Sequence, residues 1–214
     1  MGVWPILGHV LDHIVFAAPE LGEGVRVFEE LTGVAPVPGG QHVGMGTANY
    51  LVGVGDDAFL EIIGPDPEQP DPGRARPFGV DRLTEPRVVT WAIGTSDLDG
   101  QIAAARAEGF DPGDAHPMAR ATPDGETLRW RLTVPDLDAG TGLVPFLIDW
   151  GDTPPPPSRG LPTVPLLGFE ATHPTPDRVR PALKALGVRL RVRAGNRAGL
   201  TVVLDGRHGE VVLT

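Results

Sequence analysis

The sequence predicts an α+β chain built from one unit, strand–helix–strand–strand–strand, used three times over. Two observations predict it. Stretches of strand and helix character follow one another in the same order in three parts of the chain. The three helical stretches also end alike, in Leu31-Thr32-Gly33-Val34, Ala107-Glu108-Gly109-Phe110 and Ala185-Leu186-Gly187-Val188, and the strand motifs Phe59-Leu60-Glu61 and Phe146-Leu147-Ile148 repeat with them.

Residues 11–19, LDHIVFAAP, form a short apolar run rich in branched residues and bounded by proline, which reads as a strand. In LGEGVRVFEELTG, Leu21, Val25, Phe28 and Leu31 recur at helical spacing, with Arg26, Glu29 and Glu30 opposite and Gly33 as the stop. Two strand-like segments follow, 43–55 and 58–65, separated by the turn signal Gly55-Asp56-Asp57. The second unit opens with RVVTWAIGTSDL (87–98) and an Ala-rich helix over 99–110. Strands then lie in ETLRWRLTVPD and GLVPFLIDWGD, around turns at Thr122–Gly125 and Asp138–Gly142. The third begins at LLGFEATHP (166–174), continues in a helix over 176–188 with Val179, Leu183 and Leu186 on one stripe, and closes with RLRVRA, LTVVLD and EVVLT, turning at Asp205-Gly206.

Two Pro-rich stretches separate the units. PDPEQPDPGRARP (65–77) reads as a crossover, and GDTPPPPSRGLP (151–162) as an extended polyproline II spacer, because four successive prolines offer no donors to a sheet. The expected organisation is therefore residues 1–152 as a pair of units (8–66 and 86–152), and 163–214 as a third, shorter one.

Composition narrows the function classes. With 214 residues, 41% of them hydrophobic, the chain can bury a sizeable core. It has no cysteine, which excludes disulfides, thiol catalysis and zinc–thiolate sites and leaves only His, Asp and Glu for a metal. A formal charge of −10 disfavours nucleic acid, and the alternating arginines 189–193 read as the wet face of a strand. No window nears the roughly eighteen apolar residues of a membrane span, and residues 1–13 lack the basic start and cleavage site of a secretory signal. The expected location is the cytoplasm, with no membrane partner. One lysine against seventeen arginines, with abundant Ala, Gly and Pro, points to a GC-rich bacterial genome.

LDHIVFAAPEL with its helix, GGQHVGMGTANYLVGVGDDAFLEIIGP, and the Trp91-Ala92-Ile93 strand together resemble the glyoxalase-like proteins of the vicinal-oxygen-chelate superfamily, most closely over 11–64 and least over 166–214. The resemblance implies that two βαβββ modules pair their sheets into an incomplete barrel around a ligand cavity. It also implies metal ligands on the first and last strand of each module. Carried over, these positions are His13 and Glu61 in the first module. In the second they are Trp91 and Ile148, with Asp149 one residue on, so the four-ligand set of a glyoxalase I is not expected.

The residues themselves leave alternatives open. Alternation puts Leu11, His13, Val15 and Ala17 on one face of the first strand, and Phe59, Glu61 and Ile63 on one face of the other. Glu61 in so apolar a strand needs a cation, a histidine or water; otherwise it faces solvent or pairs with an arginine. His13 is a ligand or a hydrogen-bonded core residue. His42 is a third ligand, a general base or a loop histidine, standing before glycines that let backbone approach a ligand. Thr47 and Asn49 could orient a substrate, and Asn49 suits a turn equally well. Trp91 and Trp150 offer an aromatic wall for an apolar ligand or simply pack between sheets. His116 and His208 are expected in solvent, and His173 at a strand end.

Two functions follow. One is a small-molecule enzyme with lyase, isomerase or oxygenase chemistry on an oxygen-rich substrate. Its divalent metal would sit on His13, Glu61 and His42, with His42 and Glu61 catalytic and Thr47, Asn49, Trp91 and Trp150 against the substrate. The other is a metal-free protein that sequesters a small molecule in the same cavity. Either leaves a homodimer open as the assembly.

Overall fold

The computed structural model describes residues 11–134 and 142–214, so the first ten residues and most of the Asp138–Gly142 turn lie outside it. Its elements run β1 (Leu11–Ala17), α1 (Leu21–Thr32), β2 (Val37–His42), β3 (Thr47–Gly53), β4 (Phe59–Pro65), β5 (Arg87–Gly94), α2 (Leu98–Ala107), β6 (Ala115–Ala121), β7 (Thr127–Thr133), β8 (Phe146–Asp149), β9 (Leu166–His173), α3 (Arg180–Ala185), β10 (Arg191–Ala194), β11 (Gly199–Gly206) and β12 (Gly209–Leu213). Among the described residues, no helix is long and apolar enough to cross a membrane.

The shared helix endings have one physical cause. Gly33, Gly109 and Gly187 stand in the left-handed region at φ 72°, 85° and 72°, where a side chain would be strained. Each turns the chain so that the apolar residue after it (Val34, Phe110, Val188) packs on the core. The third helix is shorter than its apolar stripe suggests. Pro181 has no N–H and cannot sit inside a helix, so the expected 176–188 stretch divides into a 3-10 turn, Pro176–Arg178, and α3.

Eight strands form a ring in the order β1-β4-β3-β2-β6-β7-β8-β5. In both modules the first strand pairs parallel with the fourth, β1 with β4 and β5 with β8. β1 and β5 join the modules antiparallel on one side. The expected incomplete barrel is a closed one. Gly39 and Gly40 let β2 approach β6 so that Gln41 pairs with Ala121, and this single register pair shuts the second seam.

The four C-terminal strands form a separate sheet, β10-β9-β11-β12. The unit keeps the element order of the other two but not their wiring, since β9 pairs parallel with β10 rather than with its last strand. It covers the outside of the barrel: Val88 N–H donates to Thr214 O at 3.0 Å, and Arg207 N–H to Thr32 O at 2.8 Å. The spacer before it is not extended throughout, because Pro156–Arg159 coil into a 3-10 turn. Its last hairpin turns at Arg207-His208, two residues beyond the expected Asp205-Gly206, with Gly206 and Gly209 as the closing pair.

Strand pleating divides the apolar residues into two cores. Ile14, Phe16, Leu60, Ile62, Trp91 and Ile93 point out of the barrel, beneath the helices and the second sheet. Val15, Ala17, Ile63, Ala92, Phe146 and Ile148 point in. A register shift between Leu11 and His13 moves Leu11 to the outer set, where it pairs with Ile93, so it does not share a face with His13 as strict alternation predicts.

Candidate active site

The barrel encloses a cavity of about 500 Å³. Its two walls differ in chemistry, and the difference follows the two modules. The first contributes His13 from β1, His42 from β2, Asn49 from β3, and Phe59, Glu61 and Ile63 from β4. The second contributes Met118, Trp130, Leu132, Phe146, Ile148 and Trp150, and one charged residue, Arg120 on β6. The crossover expected over 65–77 does more than connect modules. Arg74–Gly79, Asp81 and Arg82 form the mouth, and Pro156 from the later linker also reaches it.

Glu61 sits at the centre of the polar wall, 6% exposed. Its Oε1 accepts a hydrogen bond from Asn49 Nδ2 at 2.5 Å. His42 Nε2 lies 3.6 Å from Oε1, and His13 Nε2 lies 3.7 Å from Oε2. The register explains the meeting: Val15 is opposite Glu61 in the parallel pair, which puts His13 on the same pleat face one step away.

Each imidazole is oriented from behind. His13 Nδ1 is 2.5 Å from Asp12 Oδ1, and the other carboxylate oxygen of Asp12 accepts from Trp150 Nε1 at 2.8 Å. With Nδ1 donating to the acid, the lone pair of His13 is on Nε2, facing Glu61. His13 also stacks on Phe59 at 4.8 Å and meets the edge of Phe146 at 5.3 Å. His42 Nδ1 lies 3.1 Å from Thr47 Oγ1 across the β2–β3 hairpin. Burial pushes the pKa of His42 below the ordinary histidine value; Glu61 opposes that shift, and Arg120 and His13 add to it.

Of the residues singled out from sequence, His13, His42, Asn49, Glu61 and Trp150 all line the cavity. Thr47 stands behind His42 as its hydrogen-bond partner, buried and away from the cavity lining. Trp91 does not reach the cavity. Its side chain is on the outer face of β5, donates from Nε1 to Leu143 O at 2.9 Å, and meets Phe169 edge-on at 5.2 Å. The aromatic wall is made instead by Trp130 and Trp150, 5.2 Å apart. Ile148 faces the cavity, whereas Asp149, half-buried, accepts from Gly151 N–H at 2.9 Å. His116 and His208 are exposed, and His173 ends β9 and accepts from Thr175 N–H at 2.8 Å.

The sequence does not mark Arg120, because β6 carries Ala115, Pro117, Ala119 and Ala121 and lacks the branched alternation of a strand. The Thr122–Gly125 turn was the available signal. A hairpin around it places Arg120 opposite Leu128, on the inner face.

The donors suit a divalent cation in type, and the two His–Glu separations agree with the about 3–4 Å expected between atoms sharing an ion. Among the described residues, however, no three His, Asp or Glu side chains form a group that could hold a metal ion. The second module adds no donor, since the inward position opposite His13 is Ala92 and the last-strand position is Ile148.

A family model for the glyoxalase-like domain matches residues 11–187. A solved structure of a hypothetical protein from Staphylococcus aureus is similar over 95% of this chain and 98% of that one, at 13% identity and TM-score 0.68. Methylmalonyl-CoA epimerase from Streptomyces coelicolor, in complex with 2-nitronate-propionyl-CoA, is 20% identical over 67% of this chain and 98% of its own, with TM-score 0.45. The epimerase from Mycobacterium tuberculosis is 19% identical over 69% and 92%, with TM-score 0.41. At 13% identity the Staphylococcus aureus likeness bears on fold alone. No curated protein matches the chain in sequence.

Proposed function

The chain belongs to the glyoxalase-like domain family of the vicinal-oxygen-chelate superfamily, and on that premise we propose that it is a small-molecule enzyme whose reaction centre is the polar wall of the barrel. One observation carries the reading. A buried carboxylate, Glu61, is flanked at 3.6 and 3.7 Å by the Nε2 atoms of two histidines, on the wall of the barrel cavity.

Such a group moves protons. Asp12 holds His13 with its basic nitrogen toward Glu61, so His13 can take a proton from a substrate atom in the cavity and return it. Asn49 keeps Glu61 in place with one strong hydrogen bond, leaving Oε2 to face His13. His42, kept neutral by burial, is an uncharged hydrogen-bond partner for an oxygen on which charge develops. The chemistry within reach is proton transfer beside an oxygen-bearing carbon, which serves isomerase and lyase reactions alike. Trp150 and Trp130 would hold the apolar body of the substrate.

The test is exchange of solvent deuterium into carbon acids with adjoining oxygen groups, followed by NMR, with metal content measured on the same untagged protein. Exchange catalysed by the wild type and lost in His13→Gln is the expected result. A folded wild type that binds these compounds and exchanges none of them would overturn the enzyme reading in favour of sequestration.

A further inference from the structure

Arg120 is buried, 4% exposed, and lines the cavity from the otherwise apolar wall. Among the described residues its side chain makes one hydrogen bond, from Nη1 to Asn49 Oδ1 at 2.8 Å, its Nε has no acceptor, and it forms no ion pair with a carboxylate. A guanidinium is charged at any ordinary pH and presents five donors in a planar fork. Leaving a guanidinium donor such as Nε without an acceptor away from water is costly, and buried donors without acceptors are uncommon in folded chains.

Two further observations point the same way. Trp130 Nε1, on the neighbouring strand β7 and also at the cavity, is a second buried donor with no acceptor among the described residues. The cavity is lined by four arginines, Arg74, Arg76, Arg82 and Arg120, against two carboxylates, Glu61 and Asp81, in a chain whose formal charge is −10. Positive charge is thus gathered at this one opening, where it draws anions inward. Arg76 is matched by Asp81 at 2.7 Å, whereas Arg120 feels the charge of Glu61 through space without touching it and is joined to it by the neutral Asn49 amide.

We propose that Arg120 anchors a carboxylate of the substrate, and that the substrates are small organic acids with an apolar or ring-bearing body. This deepens the reading of the barrel as a small-molecule active site and rests on it. A carboxylate matches the fork of one guanidinium with two parallel hydrogen bonds. A phosphate dianion fits less well, because Glu61 stands nearby and, among the described residues, Arg120 is the one cation that lines that wall. The body of the acid lies against Trp130, Trp150 and Phe146, and its carbon nearest the carboxylate faces His13 and Glu61.

The experiment is binding of paired probes to the full chain, by calorimetry and tryptophan fluorescence: 3-phenylpropionate, 4-phenylbutyrate and cyclohexylacetate, each beside its primary amide. The wild type binds acids more tightly than their amides. Arg120→Met weakens acid binding by roughly 10–100-fold, the range of a charge-assisted hydrogen bond, and leaves the amides unchanged. Arg120→Lys, which keeps the charge, recovers part of the loss and guards against a Met variant that fails to fold. If no acid in the wild type binds more tightly than its amide, or if folded Arg120→Met keeps the preference, the proposal is overturned. His13→Gln separates this proposal from the enzyme reading, since it tests proton transfer and leaves the acid–amide difference in place. A chain that prefers acids yet exchanges no protons keeps the carboxylate anchor and loses the enzyme; exchange without acid preference does the reverse.

Discussion

The Asn49 side chain donates to Glu61 Oε1 at 2.5 Å, and its own oxygen accepts from Arg120 Nη1 at 2.8 Å. One neutral amide thus links a buried acid and a buried base that do not touch. Direct pairing would neutralise both and turn them away from the cavity. Held apart, each keeps donors or acceptors for something else.

Removing that link strands both charged groups. Asn49→Ala is expected to cost about 1–3 kcal/mol of stability, the penalty for leaving buried polar partners unsatisfied, measured by urea unfolding. Asn49→Asp puts a second carboxylate against Glu61, and its loss should shrink as the pH is lowered. A stability unchanged in Asn49→Ala would show that Glu61 and Arg120 need no bridge.

Gly39 is required by the same arrangement. A Cβ there would stand 2.2 Å from Asn49 Oδ1 and 2.4 Å from Arg120 Nη1. Gly39→Ala should therefore destabilise by about 1–3 kcal/mol through overpacking, and should weaken organic-acid binding as Arg120 is displaced. Thermal melts with and without an acid ligand check both parts. Wild-type behaviour in both would place the Arg120 side chain elsewhere.

Phe78 carries backbone strain at the cavity mouth. It is the one non-glycine residue at positive φ among the described residues (57°), and its ring lies 5.9 Å from that of Phe146. Such a conformation costs about 1–3 kcal/mol and is retained where a side chain is needed. Phe78→Gly should leave stability unchanged or raised while lowering affinity for apolar acids by several-fold. Falling stability with unchanged affinity would make Phe78 a packing residue only.

His42 gives the fold a pH dependence of definite sign. Its folded pKa lies below the unfolded value of about 6.5. As pH falls through that value the unfolded chain gains a proton that the folded chain refuses, so stability drops until the lowered folded pKa is passed. In chelator-treated protein, the slope of melting temperature between about pH 7 and 5.5 should flatten in His42→Gln. An equally steep slope in the variant would assign it to another group.

The fold could be read from the chain because its strands are branched and its helices stop at glycines. Phe59-Leu60-Glu61 and Leu11–Ala17 announce themselves as strands, and the register that joins them brings His13 to Glu61. The closing seam could not be read in the same way. Val37–His42 and Ala115–Ala121 are rich in Pro, Gly and Ala, so their composition marks neither the strands of that seam nor Arg120 on the far wall. Trp91 stays open between cavity wall and sheet packing in the sequence, because alternation names two faces without saying which is inside. The pairing of Ile14 with Trp91, both on the outer face, settles that.

The most direct test is the proton-exchange rate of the wild type and Glu61→Gln on an organic acid that both bind, measured by NMR in deuterated solvent. If Glu61, His13 and His42 form the reaction centre, Glu61→Gln loses roughly 100-fold or more in rate, the scale of a general acid–base group, while still binding the acid. An equal rate in Glu61→Gln would move the chemistry away from this carboxylate and contradict the account.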